Sequence, residues 1–225
     1  MTDHASKQYD YDLGSIRSRV LAMGGLVESQ IRRALDALAT GDVALADEVI
    51  TNDHRVNAME VALDGDCSQL IVRRQPAASD LRMIFAITKT VTDLERIGDE
   101  AQKIARMAKN IQERGGTQAA PVVQVRHAAE AAISMLRRTL DAFARLDVDT
   151  AREVIRDDAS VDTEFRSILR QLITFMMGDP RTITTALEIV WIAKAIERIG
   201  DHAKNMAEYV IYIVEGTDVR HTKVP

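Results

Sequence analysis

The feature that most constrains this chain is that much of it occurs twice. Arg32-Arg33-Ala34-Leu35-Asp36-Ala37-Leu38-Ala39 aligns with Arg137-Arg138-Thr139-Leu140-Asp141-Ala142-Phe143-Ala144, 105 positions further on. The same separation pairs Asp42-Val43 with Asp147-Val148, Glu48-Val49-Ile50 with Glu153-Val154-Ile155, Asp53 with Asp158 and Val56 with Val161. Glu95-Arg96-Ile97-Gly98-Asp99 then returns as Glu197-Arg198-Ile199-Gly200-Asp201, 102 positions later. Three residues have therefore been lost between Val161 and Glu197, and a loop is expected there. A duplication of this length dictates two structurally related units.

The punctuation divides each unit into three. Pro76 and Pro180 fall at equivalent places, where proline opens a helix. Gly115-Gly116-Thr117, followed by Pro121, is the strongest breaker cluster. These breaks predict helices near 12–39, 43–74, 77–112, 121–145, 148–177 and 181–214, with 113–120 as a hinge. Val49, Val56, Leu63 and Leu70 recur every seven residues with Met59 and Cys67 nearby, the seam of an antiparallel bundle. Short connections at Thr40-Gly41-Asp42 and Leu146-Asp147 make neighbouring helices antiparallel. The expected fold is all-α: two tandem, pseudo-symmetric three-helix bundles of six long helices, one over 1–114, a linker over 115–120 and a second bundle over 121–225.

Composition agrees and excludes some functions. Hydrophobic residues make up 46% of the chain but aromatics only 4%, which favours helices packed through aliphatic seams over sandwiches or barrels. The net charge of −5, with no clustered basic surface, argues against nucleic-acid binding. The N-terminus has no apolar core of a signal peptide, and no stretch approaches the roughly 18 uninterrupted apolar residues of a spanning helix, so a cytoplasmic location is expected. Cys67 is the only cysteine and reads as a small core residue.

The repeated pentapeptide is costly in a helix. Its two carboxylates at i and i+4 repel by roughly 0.2–0.5 kcal/mol, and its mid-helix glycine costs about 1 kcal/mol relative to alanine. More acids lie one helix earlier: Asp53, Asn57, Glu60 and Asp64 occupy one stripe at i, i+4, i+7 and i+11, and Asp158 and Asp162 repeat the first two positions. Packing the second helix on the third would bring up to four oxygen-bearing side chains together in each bundle, a cluster that needs cations. Arg96 and Arg198, with Lys89 and Lys194, could supply them across a solvated face. The recurrence of acid pairs on two helices of both units points instead to bound cations. The ligand set is all oxygen, with no cysteine and no histidine common to both copies, which suits Mg²⁺, Mn²⁺ or ferric iron better than structural zinc. Gly98 and Gly200 suit close approach of a neighbouring helix or of bound ions. His202, whose counterpart is Glu100, is expected at the surface or behind the ligands.

At these residues the chain resembles the PhoU family, regulators of bacterial phosphate uptake. The resemblance rests on D-L-E-R-I-G-D at 93–99, I-E-R-I-G-D-H-A at 196–203 with Asn205 beyond, Asp80-Leu81-Arg82 after Pro76, and V-N-x-x-E at 56–60, and it spans nearly the whole sequence. It implies two symmetry-related bundles that bind metal clusters through E/D-x-x-x-D motifs. It also implies a non-enzymatic negative regulator that couples the ATPase subunit of a phosphate ABC transporter to a sensor histidine kinase, associating with the membrane peripherally through these partners, with a homodimer as a further possibility. Carried over by position, the metal residues are Asp53, Asn57, Glu95 and Asp99 in the first unit and Asp158, Asp162, Glu197 and Asp201 in the second. Asn57 departs from the acidic pattern, so the first site is expected to hold fewer ions or to lean on Glu60. Asp80-Leu81-Arg82 has no equivalent in the second unit, where Thr182-Ile183-Thr184 stands.

Two rival functions remain on the residues alone. A ferritin-like di-metal oxidase needs Glu-x-x-His on two helices, and none of the five histidines stands three residues after a glutamate. A metal-free helical adaptor would leave the acids solvated or ion-paired.

Overall fold

The computed structural model describes residues 2–115 and 122–220. Among these residues the chain forms six α-helices and no strand: α1 (Thr2–Thr40), α2 (Val43–Arg74), α3 (Ala78–Glu113), α4 (Val122–Arg145), α5 (Val148–Gly178) and α6 (Ile183–Glu215), with a single 3₁₀ turn at Pro180–Thr182. The expected linker over 115–120 lies, apart from Gly115, outside the described residues.

Corresponding junctions are built alike. Asp42 caps α2 by accepting from the Leu45 amide at 3.0 Å, and Asp147 caps α5 by accepting from the Thr150 amide at 3.1 Å. The residue before each cap is left-handed. It is Gly41 (φ 70) in the first unit, where no Cβ resists, and Leu146 (φ 55) in the second. There the conformation costs about 1–2 kcal/mol, and packing of the Leu146 side chain against the core opposes that cost.

Every helix boundary but one falls within two residues of expectation, the exception being the start of α1, and both proline junctions are built differently from expectation. Helix α1 starts ten residues early, because the buried Tyr9 anchors a segment that has no apolar period of its own and Gln8 bonds Asp12 one turn on at 2.8 Å. Pro76 stands two residues before α3, with Ala77 as the cap. Pro180 opens the 3₁₀ turn instead of α6, because the Asp179 carboxylate accepts from the Arg181 amide and fixes a tight turn. The shortening between the repeats falls in the first turns of the helix after this link, since Glu95 stands 17 residues after Ala78 and Glu197 only 14 after Ile183.

Each unit is an antiparallel three-helix bundle: α1, α2 and α3 pack mutually, as do α4, α5 and α6. The heptad seam of α2 is buried at Val49, Val56, Leu63, Cys67 and Leu70, whereas Met59 is only partly covered. Burial pushes the Cys67 thiol up to about 11, with Asp64 and Asp66 adding to the effect, so it is an inert core group. The units meet through α3 against α6 and α1 against α4, and their buried side chains form one continuous cluster. Each large apolar side chain in it contributes roughly 1.5–3 kcal/mol relative to exposure. Across the α1–α4 contact, Arg137 reaches Glu28 at 2.6 Å while Arg32 holds the same carboxylate at 3.0 Å.

Candidate metal centres

The contact between α3 and α6 sets the two E-R-I-G-D copies beside each other. In both, the glutamate and aspartate are half-buried, the arginine exposed, and the isoleucine and glycine buried. Arg96, Asp99, Glu100 and Lys103 line one wall of an open cleft of about 460 Å³, and Arg198, Asp201, His202 and Asn205 line the other. The sequence repeat does not reveal that the motifs share this cleft, because it relates the units without saying which helices join them.

The glycines of α3 and α6 face α2 and α5 respectively. A Cβ on Gly98 would stand 3.3 Å from Val56 Cγ1 and 3.5 Å from Asp53 Oδ1, and one on Gly200 would stand 3.4 Å from Val161 Cγ1. The missing side chain at Gly98 lets α2 lie close against α3, whereas at Gly200 a Cβ would make only ordinary contact with α5.

In the first bundle this approach gathers negative charge. Asp53 is buried, Glu60, Glu95 and Asp99 are half-buried, and Asn57 and Asp64 are exposed, so only part of the α2 stripe faces α3. Burial pushes the Asp53 carboxyl up from its ordinary value, and the charge of Asp99 adds to this; a weak 3.4 Å bond from Asn57 and the more distant Arg106 oppose it. Glu95 is raised by burial and then by Asp99, Glu60 and Asp53, against Arg96. Glu60 is raised by burial, Asp64 and Asp99, again against Arg96. Asp53 Oδ1 is buried with no hydrogen-bond partner. Four carboxylates thus face one another with two arginines at the margin, and one buried oxygen is left unmatched.

The second bundle brings the corresponding acids together but supplies its own cations. Lys204 donates to Asp158 at 2.7 Å, Lys194 donates to Glu197, and Arg166 lies 3.6 Å from Asp162. Asp201 is raised by burial and by Glu197 and Asp158, with Lys194 opposing. Lys204 and Arg166 carry no signal in the sequence because neither belongs to the repeat: Gln102 stands where Lys204 would be expected, and its amide bonds the Ile50 carbonyl.

Other expected neutralisers lie elsewhere. Lys89 sits over the Tyr209 ring at 5.5 Å, and Arg198 reaches across to Glu100 at 3.3 Å. His202 also crosses between the units, donating through Nδ1 to the buried Asp93 at 2.7 Å, with Asn205 3.4 Å from the same oxygen. Of the Asp80-Leu81-Arg82 triplet, Arg82 lies against Gly216 at the α6 C-terminus, where a cation is favourable.

As the side chains stand, no three His, Cys, Asp or Glu residues among those described are arranged to hold a metal ion. The first bundle nevertheless fits a hard cation in its chemistry, having excess carboxylate charge and an unpartnered buried oxygen. In the second bundle an ion would have to displace Lys204 and Lys194.

The PhoU domain model matches this sequence over residues 20–108 and again over 125–210. The chain belongs to the PhoU domain family. It is 50% identical over 221 residues to the phosphate-specific transport system accessory protein PhoU homolog of Pseudomonas aeruginosa, covering 98% of this chain and 91% of the relative. It is 46% identical over 222 residues to the accessory protein PhoU of Escherichia coli, with 98% and 91% covered. The crystal structure of PhoU from Pseudomonas aeruginosa superposes with a TM-score of 0.90 at 49% identity, over 93% of this chain and 100% of that one. A phosphate transport system regulatory protein PhoU from Streptococcus pneumoniae gives 0.86 at 27% identity, over 94% and 99%.

Proposed function

We propose that this PhoU-family protein is a non-enzymatic negative regulator of phosphate uptake and of phosphate-starvation signalling. It acts in the cytoplasm, couples the ATPase subunit of a phosphate ABC transporter to a sensor histidine kinase, and reaches the membrane peripherally through those partners. The observation that carries the proposal is full-length similarity to proteins named as accessories of the phosphate-specific transport system. A peripheral role agrees with the absence, among the described residues, of any helix long and apolar enough to cross a membrane.

Cations bound by the acid sets are the second part of the proposal. Asp53, Glu60, Glu95 and Asp99, with Asn57 at the edge, would hold them in the first bundle, and Asp158, Asp162, Glu197 and Asp201 in the second. A bound Mn²⁺, Mg²⁺ or iron ion supplies positive charge that screens the facing carboxylates. The chain's own contribution is to hold α2 on α3, and α5 on α6, through the apolar core so that the acids of each pair face one another.

Deleting the gene in its host tests the regulatory role. The phosphate-starvation response should then stay on in phosphate-rich medium and be repressed again by a plasmid copy. Normal repression in the deletion strain, with no second PhoU-family protein present, would contradict the proposal.

A further inference from the structure

Gln30 of α1 is 4% exposed, and neither its side-chain oxygen nor its side-chain nitrogen has a hydrogen-bond partner. A buried amide left in this state is unusual, and it needs an explanation in an ion, a water or a functional role. Its position is informative. A Cβ on Gly98 would lie 3.6 Å from Gln30 Oε1 and 3.5 Å from Asp53 Oδ1, itself buried and unpartnered. Two unmatched oxygens from different helices therefore border one point over the glycine that precedes Asp99.

The internal repeat provides a control. The residue 105 positions after Gln30 is Met135, and its sulfur lies 3.8 Å from the corresponding point over Gly200. Methionine has nearly the shape of glutamine, so packing at this place in the fold does not require an amide. Where methionine stands, the neighbouring Asp158 is neutralised by Lys204. Where glutamine stands, Asp53 has no lysine.

We infer that Gln30 supplies a neutral oxygen from α1 to a first-bundle cation site that also includes Asp53, Glu95 and Asp99, and that this amide adapts the site to a hard cation. The inference rests on the cation reading proposed above. Amide and carboxylate oxygens suit Mn²⁺ or Mg²⁺, whereas the thioether at the matching place in the second bundle is a soft ligand. The first site is thus assembled from three helices. Asn57 does not weaken it in the way its departure from the acidic pattern suggests, because the amide of Gln30 adds a buried oxygen that the repeat does not share.

The test uses the full chain carrying Asp158→Asn and Asp201→Asn, which disable the second site, after treatment with a chelator. Mn²⁺ is titrated in, and its free form is followed by electron paramagnetic resonance. In this background Gln30→Met should weaken Mn²⁺ binding about tenfold or more while the metal-free protein melts no lower than its parent, and Gln30→Glu should bind at least as tightly as the parent. Equal affinity of the parent and Gln30→Met would overturn the inference alone and leave Gln30 as a residue served by a buried water only. So would a Gln30→Glu variant that binds more weakly than the parent. Absence of Mn²⁺ binding by the parent, and by the wild-type chain as well, would overturn the cation reading together with the inference.

Discussion

Replacing Asp53 by asparagine should stabilise the metal-free protein at neutral and alkaline pH. Asp53 is 5% exposed, its Oδ1 has no partner, and its carboxyl is raised by burial and by Asp99. An acid whose folded-state pKa lies above the unfolded value destabilises the fold while it is ionised. That penalty lifts as pH falls through the folded pKa, and below the unfolded value near 3.8 both states are protonated and the effect is gone. Asparagine preserves the shape, removes the charge and places a donor near the unpartnered Gln30 oxygen. Leaving one buried polar atom unmatched costs about 1–3 kcal/mol, and the variant should recover roughly 1.5 kcal/mol of this at pH 8. For a chain of this size that corresponds to a rise in Tm of about 3–6 °C. Thermal unfolding followed by circular dichroism in chelator should show the gain in full at pH 8 and lost as acidification carries the protein through the raised folded pKa toward 3.8. An Asn variant that melts below wild type at pH 8, by an amount that does not change with pH, would mean that the Asp53 carboxylate is well satisfied without metal, and the argument would fail.

Two further outcomes follow from the asymmetry between the bundles. Lys204→Gln should destabilise the metal-free protein by about 1–2 kcal/mol, less than for a fully buried pair because the lysine is partly exposed, and calorimetry should show tighter cation binding at the second site. Gly200→Ala should raise metal-free stability by up to about 1 kcal/mol through helix propensity, since its Cβ meets ordinary contacts. Gly98→Ala should gain less, with both changes followed by denaturant titration, because its Cβ lies closer to Val56 and borders the Asp53 and Gln30 oxygens.

The fold was legible because its signals are local and repeated. The heptad of α2, the short connections at Thr40-Gly41-Asp42 and Leu146-Asp147 and the proline breaks each act within a few residues, and duplication gave the connections and the prolines a second instance. The start of α1 was hidden, since its anchor is a single buried tyrosine without periodicity. For the candidate sites, spacing along one helix placed Asp53 near Glu60, and Glu95 near Asp99. What spacing could not supply was the partner on another helix. Lys204 on Asp158, His202 on Asp93 and the unpartnered Gln30 near Asp53 are contacts between distant segments, and they fall where the two halves of the repeat differ. Comparing the halves position by position, Gln30 with Met135 and Gln102 with Lys204, is the sequence signal that would have pointed to them.

The claim that the duplicated E-R-I-G-D motif serves to hold cations is tested most directly by equilibrium dialysis of chelator-treated protein against Mn²⁺, followed by elemental analysis. Wild type should retain bound manganese, whereas a variant carrying Glu95→Gln, Asp99→Asn, Glu197→Gln and Asp201→Asn should retain none above buffer while keeping its helical spectrum. Equal manganese in both proteins, or none in either, would contradict the claim.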